Sequence, residues 1–401
     1  MSMTKGSRRV TRAGLGALAA LILMAPSVLA ESGFSDAVTL RKGPSGAGVQ
    51  LEDVAAKGRQ VSVVWEEFIG GDGVLRLRTS TDGGATFRSQ RLVEDREGGR
   101  ASTDVCVDHA WVAHSYRLPG DPLFTNGLIV GGFPLSVAGG SGELIVGSGG
   151  SQWVDETDFT CVGSRRRAVA WVDRDFKTTS TVRVRFIPIH ADIKGEAPAD
   201  LERSFRADAF TSVALAARGT RAWLAWQTIN DRIRIKAFDV GPGPDFTVTP
   251  RPTHTLPDAG TATGRIEMAA VGSKLVIAYG IRSNTFVRVS TNGGASFGPR
   301  KRLLRGIFGG DLHTTPLSAD IRGSRVVVHA AELGGFKDLE TIAYRFVSTD
   351  LGGTWRGVRR YSDGSRMGAF AVRGRGTRLV EAWDRNTSTR DRKPVRFHRQ
   401  L

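Results

Sequence analysis

Apolar and polar positions follow one phrase along this chain. An apolar run leads into a turn of Gly or basic residues, and a second apolar run returns from it. The phrase reads VAAKGRQVSVVW to Trp65, CVDHAWVAH to His114, CVGSRRRAVAW to Trp171 and LAARGTRAWLAW to Trp226. It continues as AAVGSKLVIAY to Tyr279, ADIRGSRVVVHA to Ala330 and AVRGRGTRLVEAW to Trp383. The endpoints recur about every 53 residues, a period that marks a repeat architecture. After most copies comes a polar loop and a segment alternating at period two: LRLRTS, TVRVRF, RIRIKAF, TFVRVS, TIAYRFVS. That alternation is the signal of a half-buried strand. A short fourth strand, such as FRSQRLV or FGPRKRLL, is expected to end each unit.

Four strands per unit, repeated radially, predict an all-β fold: a seven-bladed β-propeller with four-stranded antiparallel blades. The seventh unit stops at Leu401 after three strands. Residues 34–40 (FSDAVTL) resemble the fourth strands, so the ring is expected to be closed by the mature N-terminal strand. Closure of that kind removes exposed sheet edges. Residues 128–150, Gly-rich and apolar, are expected to form the outer strands of the second unit.

Composition narrows the setting. With 24% charged and 40% hydrophobic residues the chain is not of the disordered class. Residues 1–30 read as a secretory signal peptide: Lys5, Arg8, Arg9 and Arg12 precede an apolar run at 15–24, and Val28-Leu29-Ala30 ends on small residues. The run is too short to span a bilayer, which needs about 20 residues. Residues 31–401 are then one exported propeller domain, secreted or held in the periplasm or at the cell surface, with no transmembrane segment. Loss of the four leader cations lowers the formal charge of +16 to +12. In an oxidising compartment Cys106 and Cys161, the chain's only cysteines, are expected to pair. They sit on the first strands of neighbouring units, which converge at the channel. No His or Cys spacing suggests a metal, and no cofactor is expected.

Three units carry a sharper motif between their third and fourth strands. Ser80-Thr81-Asp82-Gly83-Gly84-Ala85-Thr86-Phe87 is the first, and Ser290-Thr291-Asn292-Gly293-Gly294-Ala295-Ser296-Phe297 the second. The third is Ser348-Thr349-Asp350-Leu351-Gly352-Gly353-Thr354-Trp355. Asp or Asn can accept nearby backbone N–H groups, Gly admits positive φ, and the aromatic anchors the turn. These segments resemble the Asp boxes (BNR repeats) of sialidase-like propellers. The resemblance covers the mature chain and implies that the boxes are structural and lie opposite the functional face. It also implies departures: sialidases resemble six-bladed rings, and their early F/Y-R-I-P segment is missing here. Their chemistry uses three arginines on the substrate carboxylate, a Tyr–Glu pair and an Asp acid/base.

Propeller connectivity sorts the loops. Loops after the second strands belong to the face opposite the boxes. Arg117, Arg174, Arg282 and Arg385 follow second-strand ends at similar offsets and are candidates to grip an anionic group by bidentate bonds. Asp173, Glu332, Asp384 and Tyr361 are the weak catalytic candidates. The same charges also fit plain solvated loops. On the box face, Lys57, Arg59, Arg165, Arg166, Arg167, Arg218, Arg221, Lys274, Arg322, Arg325, Arg373, Arg375 and Arg378 cluster in the hairpin turns. They suggest an anionic wall polymer, or reflect an Arg-rich composition. The reading that results is a sialidase-like propeller recognising a glycan or other extracellular ligand. An exo-acting sialidase-type glycoside hydrolase and a protein-docking scaffold are the alternatives. Nucleic acid is not an expected partner, since no aromatic stacking motif is present.

Overall fold

The computed structural model describes residues 38–42, 48–69, 72–94, 98–117, 125–135, 142–148, 153–174, 179–188, 201–208, 212–228, 232–242, 246–256, 262–281, 284–305, 314–333, 341–360, 370–373, 380–384 and 394–399. They form antiparallel strands in four-stranded sheets. Six sheets are contiguous blades: the first over 48–94, the second over 98–148, the third over 153–208, the fourth over 213–255, the fifth over 262–305 and the sixth over 314–360. Each is a meander whose strands pair in chain order.

The expectation of seven equivalent blades is corrected. The remaining four-stranded sheet is not a blade of the repeat but a composite of both chain ends. Its order is Val38–Lys42, Pro394–Arg399, Val380–Asp384, Phe370–Arg373. Its strands are only four to six residues long, whereas strands in the contiguous blades reach ten. The reason lies in the last repeat, which holds three strands and must borrow its fourth. The borrowed strand begins at Val38, not Phe34, and residues 34–37 lie outside those described. So do the leader at 1–30 and the linkers around it.

Burial explains why each strand type has its pattern. Second strands lie between neighbouring sheets and are covered on both faces. Arg221–Gln227 is buried at every position after the first, hence its continuous apolar run. Third strands are covered on one face, so Ile233, Ile235 and Phe238 are buried while Arg234 is exposed. The core is therefore a set of inter-sheet layers. One joins Val172, Val184 and Phe186 of the third blade to Leu224, Trp226 and Phe238 of the fourth. Another joins Leu40 and Phe397 of the composite sheet to Val49, Val61 and Trp65 of the first blade, so the chain's two ends share one core.

The first strands stand side by side in ring order, and the composite sheet's Phe370–Arg373 meets both the sixth blade and the first. Side chains stitch this ring. Asp53 accepts from its neighbour Val54 N–H at 2.8 Å and from Thr103 N–H of the second blade at 2.9 Å. Asp104 accepts from Val105 N–H and from Cys161 N–H of the third blade, both at 2.8 Å. Asp158 accepts from Phe159 N–H at 2.7 Å and from Leu215 N–H of the fourth blade at 2.6 Å. Ser212 Oγ continues the series, accepting from Ile266 N–H of the fifth blade at 2.8 Å. Register shifts at Leu51/Asp53, Val154/Thr157, Ala262/Ile266 and Pro316/Ser318 mark bulges that lift these strands off their partners. The first strand is the inner edge of each sheet, so its amides facing the axis lack ladder partners, and the carboxylates and hydroxyls supply them.

Cys106 and Cys161 are disulfide-bonded across the second and third first-strands, as the pairing argument expected. The bridge closes a loop of 55 residues, for which chain entropy gives about 4 kcal/mol.

Asp158→Ala leaves the buried Leu215 amide without its acceptor. Unfolding in urea should show a loss of about 1–3 kcal/mol. An unchanged midpoint would mean that the side-chain stitch contributes nothing to ring closure.

Candidate functional site

The ring surrounds a small, open polar cavity with about 60 Å³ of internal space. The first strands and their approaches supply the walls, so every contiguous blade contributes. Among the described residues, Glu52, Asp53, Glu156, Asp158 and Glu267 bring five carboxylates to the lining, and Arg265 is its one cation. Ser102, Thr157, Ser212 and Ser318 add hydroxyls.

The wall carboxylates differ in their duties. Asp53 and Asp158 spend oxygens on backbone amides in the ring. Glu52 accepts from Gln50 at 2.9 Å and from Ala101 N–H at 3.3 Å. Burial alone disfavours the Arg265 cation. Glu156, Glu267, Glu52 and Asp53 outweigh that and push its pKa above the ordinary value. Arg265 thus stays charged as the counter-ion of carboxylates from the first, third and fifth blades. The Ser102 hydroxyl, on a residue only 5% exposed, has no hydrogen-bond partner. No group of three or more His, Cys, Asp or Glu among the described residues is placed to hold a metal ion.

The candidate loop residues stand elsewhere. Asp173 and Arg174 end the second strand of the third blade, Arg166–Arg174. Arg117 ends His109–Arg117, Asp384 ends Val380–Asp384, and Glu332 is next to last in Arg325–Leu333. All five thus stand at or near second-strand ends, and Asp173 and Arg174 are not among the residues that line the cavity. Arg282, Arg385 and Tyr361 lie outside the described residues.

Asp173 is tied into a local network. Trp171 Nε1 donates to it at 2.8 Å, and Arg183 donates to its other oxygen. Arg183 also reaches Glu202 at 2.7 Å, as does Arg185 at 2.9 Å. Burial raises the Asp173 pKa, and Arg183 and Trp171 only partly offset it. The first blade repeats the device: Trp65 Nε1 donates to Glu67 at 3.1 Å, with Arg76 at 3.6 Å. In both blades the Arg is paired directly across from the Trp, Trp171 with Arg183 and Trp65 with Arg76. The sequence signal was available as Trp-x-acid followed by an Arg on the third strand.

The opposite face holds the three turn motifs. In the first, Ser80 Oγ donates to Asp82 at 2.7 Å and accepts from Gly84 N–H at 2.8 Å. Asp82 accepts from Thr86 N–H at 3.0 Å and Thr86 Oγ1 at 2.6 Å. Asp350 repeats these bonds with Thr354 N–H at 2.8 Å and Thr354 Oγ1 at 2.7 Å. Asn292 keeps the acceptor for Ser296 N–H at 2.9 Å, and its amide donates to Ser296 Oγ at 2.8 Å. Gly83, Gly293 and Leu351 donate their N–H groups to the hairpin turns at Arg59, Ser273 and Ser324, so turns and motifs share one face.

Each motif also docks on the preceding sheet. Gly84 has φ +83°, and a Cβ there would come within 2.2 Å of the Phe397 ring in the composite sheet. Phe87 packs edge-on against Phe397 at 4.9 Å. Trp223 Nε1 of the fourth blade donates to Gly293 at 2.9 Å. The fourth strands begin later than expected for the same reason. Phe87 belongs to this docking contact, and pairing resumes only at Arg91–Glu94; in the fifth blade it resumes at Lys301–Arg305.

The basic turns on this face are partly consumed. Arg167 is fully buried, stacked over Trp111 at 3.6 Å, and donates to the Pro188 carbonyl. Burial lowers its pKa to about 9. Arg166 lies over Phe246 at 5.0 Å, and Arg221 pairs with Asp239 at 2.6 Å. A ring of thirteen surface cations is therefore not what the fold presents. Arg375 and Arg378 lie outside the described residues.

No protein-family model and no curated protein matches the chain. Among solved structures it is similar to the acylaminoacyl peptidase of Pyrococcus horikoshii, with a TM-score of 0.47 and 13% identity over 86% of this chain and 50% of that one. It is also similar to Trypanosoma rangeli sialidase, with a TM-score of 0.44 and 12% identity over 92% of this chain and 59% of that one. A mutant of NanB sialidase from Streptococcus pneumoniae gives a TM-score of 0.43 and 9% identity, over 88% of this chain and 68% of that one. The chain spans between half and three fifths of the first two proteins' length. At such identities the likeness is one of architecture, and no residue role is carried over from it.

The turn motifs set an acid limit. Hydrogen bonds from Thr354 and Ser348 hold the Asp350 carboxyl at about 2, against an ordinary 3.8. At Asp82 burial opposes ionisation, but the bonds from Thr86 and Ser80 win and depress it further. A depressed folded-state pKa adds stability that is complete above the unfolded value and lost as pH falls through the folded one. Urea midpoints should therefore drop between about pH 4 and pH 2. The Asp82→Asn, Asp350→Asn double variant, which copies the non-titrating Asn292 motif, should show a flatter profile in that window. An unchanged slope would remove these carboxylates from the acid response.

Proposed function

We propose that this chain is an exported, sialidase-like propeller that recognises a glycan at the mouth of its channel, and that it binds rather than cleaves. The observation that carries this reading is the cavity itself. It is a concave polar recess at the axis of the ring, and its walls offer carboxylate, hydroxyl and guanidinium groups suited to a polyhydroxylated ligand. The leader, the disulfide and the three Asp-box motifs support export and the sialidase-like class.

The cavity's charge argues against a sialidase mechanism within it. A sialoside presents a carboxylate, and five carboxylates with one paired arginine would repel it. Arg117, Arg174, Arg282 and Arg385 remain candidates for contacts at the rim, where their strands end. On this reading Asp173 braces Arg183 and Trp171 and does not act as an acid or base.

A fluorogenic sialoside and glycoside panel, followed by a glycan array, tests the proposal. Array binding with no turnover is the expected result. Turnover of a sialoside would replace it with the hydrolase reading, and silence in both assays would leave a protein-docking scaffold.

A further inference from the structure

We propose that the channel cavity selects a ligand bearing a protonated amine among hydroxyls, an amino sugar with its nitrogen unacylated, seated between the wall carboxylates and Ser102. The inference deepens the glycan reading and rests on it. Two observations carry it independently.

The first is charge. Among the described residues, five carboxylates line the cavity against one guanidinium, in a chain whose formal charge is +16. The excess is therefore a local arrangement and runs against the composition. A focused negative potential with low-dielectric walls attracts a cation. The carboxylates are spread over the first, third and fifth blades, and no three of them converge on one point among the described residues. That spread suits an organic cation of sugar size better than a bare metal ion.

The second is Ser102. Its residue is 95% buried, by its 5% exposure, and it lines the same cavity. Its hydroxyl has no hydrogen-bond partner. Buried polar groups are ordinarily satisfied, and each exception calls for an account. A hydroxyl both donates and accepts, so it can complete a ligand hydroxyl or accept from an ammonium. The two neighbours of Ser102 are already engaged: Thr103 Oγ1 with Ser62 and Trp111, and Ala101 N–H with Glu52.

Arg265 fits the same scheme. It occupies part of the acidic channel as a built-in cation and offsets only one of the five carboxylates, so a net negative charge remains for an amine to meet.

The test is calorimetric titration of the full exported chain with a glucosamine disaccharide, its N-acetylated form, and methylammonium as a bare amine. The free amine should bind at least about tenfold more tightly than the acetylated sugar, an increment of about 1.4 kcal/mol. High salt should weaken it. Ser102→Ala should lower that affinity while leaving the urea midpoint unchanged, and Glu156→Gln should lower it as well. Equal binding of the two sugars would overturn the amine preference and leave the glycan reading standing. Methylammonium binding as well as the amino sugar would keep the cation site and overturn the glycan reading. Binding of neither sugar nor amine would overturn both, and wild-type affinity in both variants would overturn the assignment of the amine to this cavity.

Discussion

The hydrogen bonds that run from one first strand to the next are the constraint on which this propeller depends. A four-stranded sheet can bury its faces against two neighbours, but its innermost strand still shows unpaired amides to the axis. Asp53, Asp104 and Asp158 meet the amides of Thr103, Cys161 and Leu215, and Ser212 meets that of Ile266. A carboxylate accepting from backbone N–H forms a charge-assisted bond, stronger than a neutral one. Placed across a blade boundary, it fixes both the spacing and the register of neighbouring sheets. The Cys106–Cys161 bridge reinforces the same boundary that Asp104 spans.

These stitches have a second consequence. Carboxylates recruited to hold the axis also make the channel acidic. Asp53 and Asp158 belong to both the ring and the cavity wall. Arg265 then becomes necessary as a counter-ion, and its charge is held by Glu156, Glu267, Glu52 and Asp53. Structure and recognition thus draw on one set of groups. The opposite face is organised by different means. There the Asp82 and Asp350 turns carry their own hydrogen bonds and dock on the preceding sheet through Gly84 and Gly352, which face Phe397 and Val289. Arginines on that face are stacked on aromatics, as Arg167 is on Trp111.

Much of the architecture was legible because hydrophobic period reports burial directly. The doubly covered second strands read as apolar runs, and the third strands as alternation. The disulfide followed from two cysteines at equivalent places in adjacent repeats. What the pattern could not carry was the inequality of the last sheet. Short strands such as Phe370–Arg373 look like any other repeat when only their apolar residues are counted. The site was legible least. Loop arginines drew attention because charged residues at strand ends are conspicuous, whereas Glu52, Glu156 and Glu267 lie inside strands, where alternation assigns them to an outer face. Their convergence depends on the radial arrangement and on bulges at Leu51/Asp53 and Val154/Thr157. Neither is written in a local period. Trp171 and Asp173 show the same limit. The pair is visible in sequence, but its partner Arg183 is found only through strand pairing.

Hydrogen exchange followed by mass spectrometry, with fragments resolving the first strands, tests the stitched ring most directly. Amides that donate to no ladder carbonyl but to a carboxylate of the neighbouring blade should exchange only through global opening. The account predicts that Thr103, Cys161 and Leu215 are as slow as the buried second-strand amides of Val112, Val169 and Leu224. Exchange of those three at the rate of exposed turns, with the second strands still protected, would contradict it.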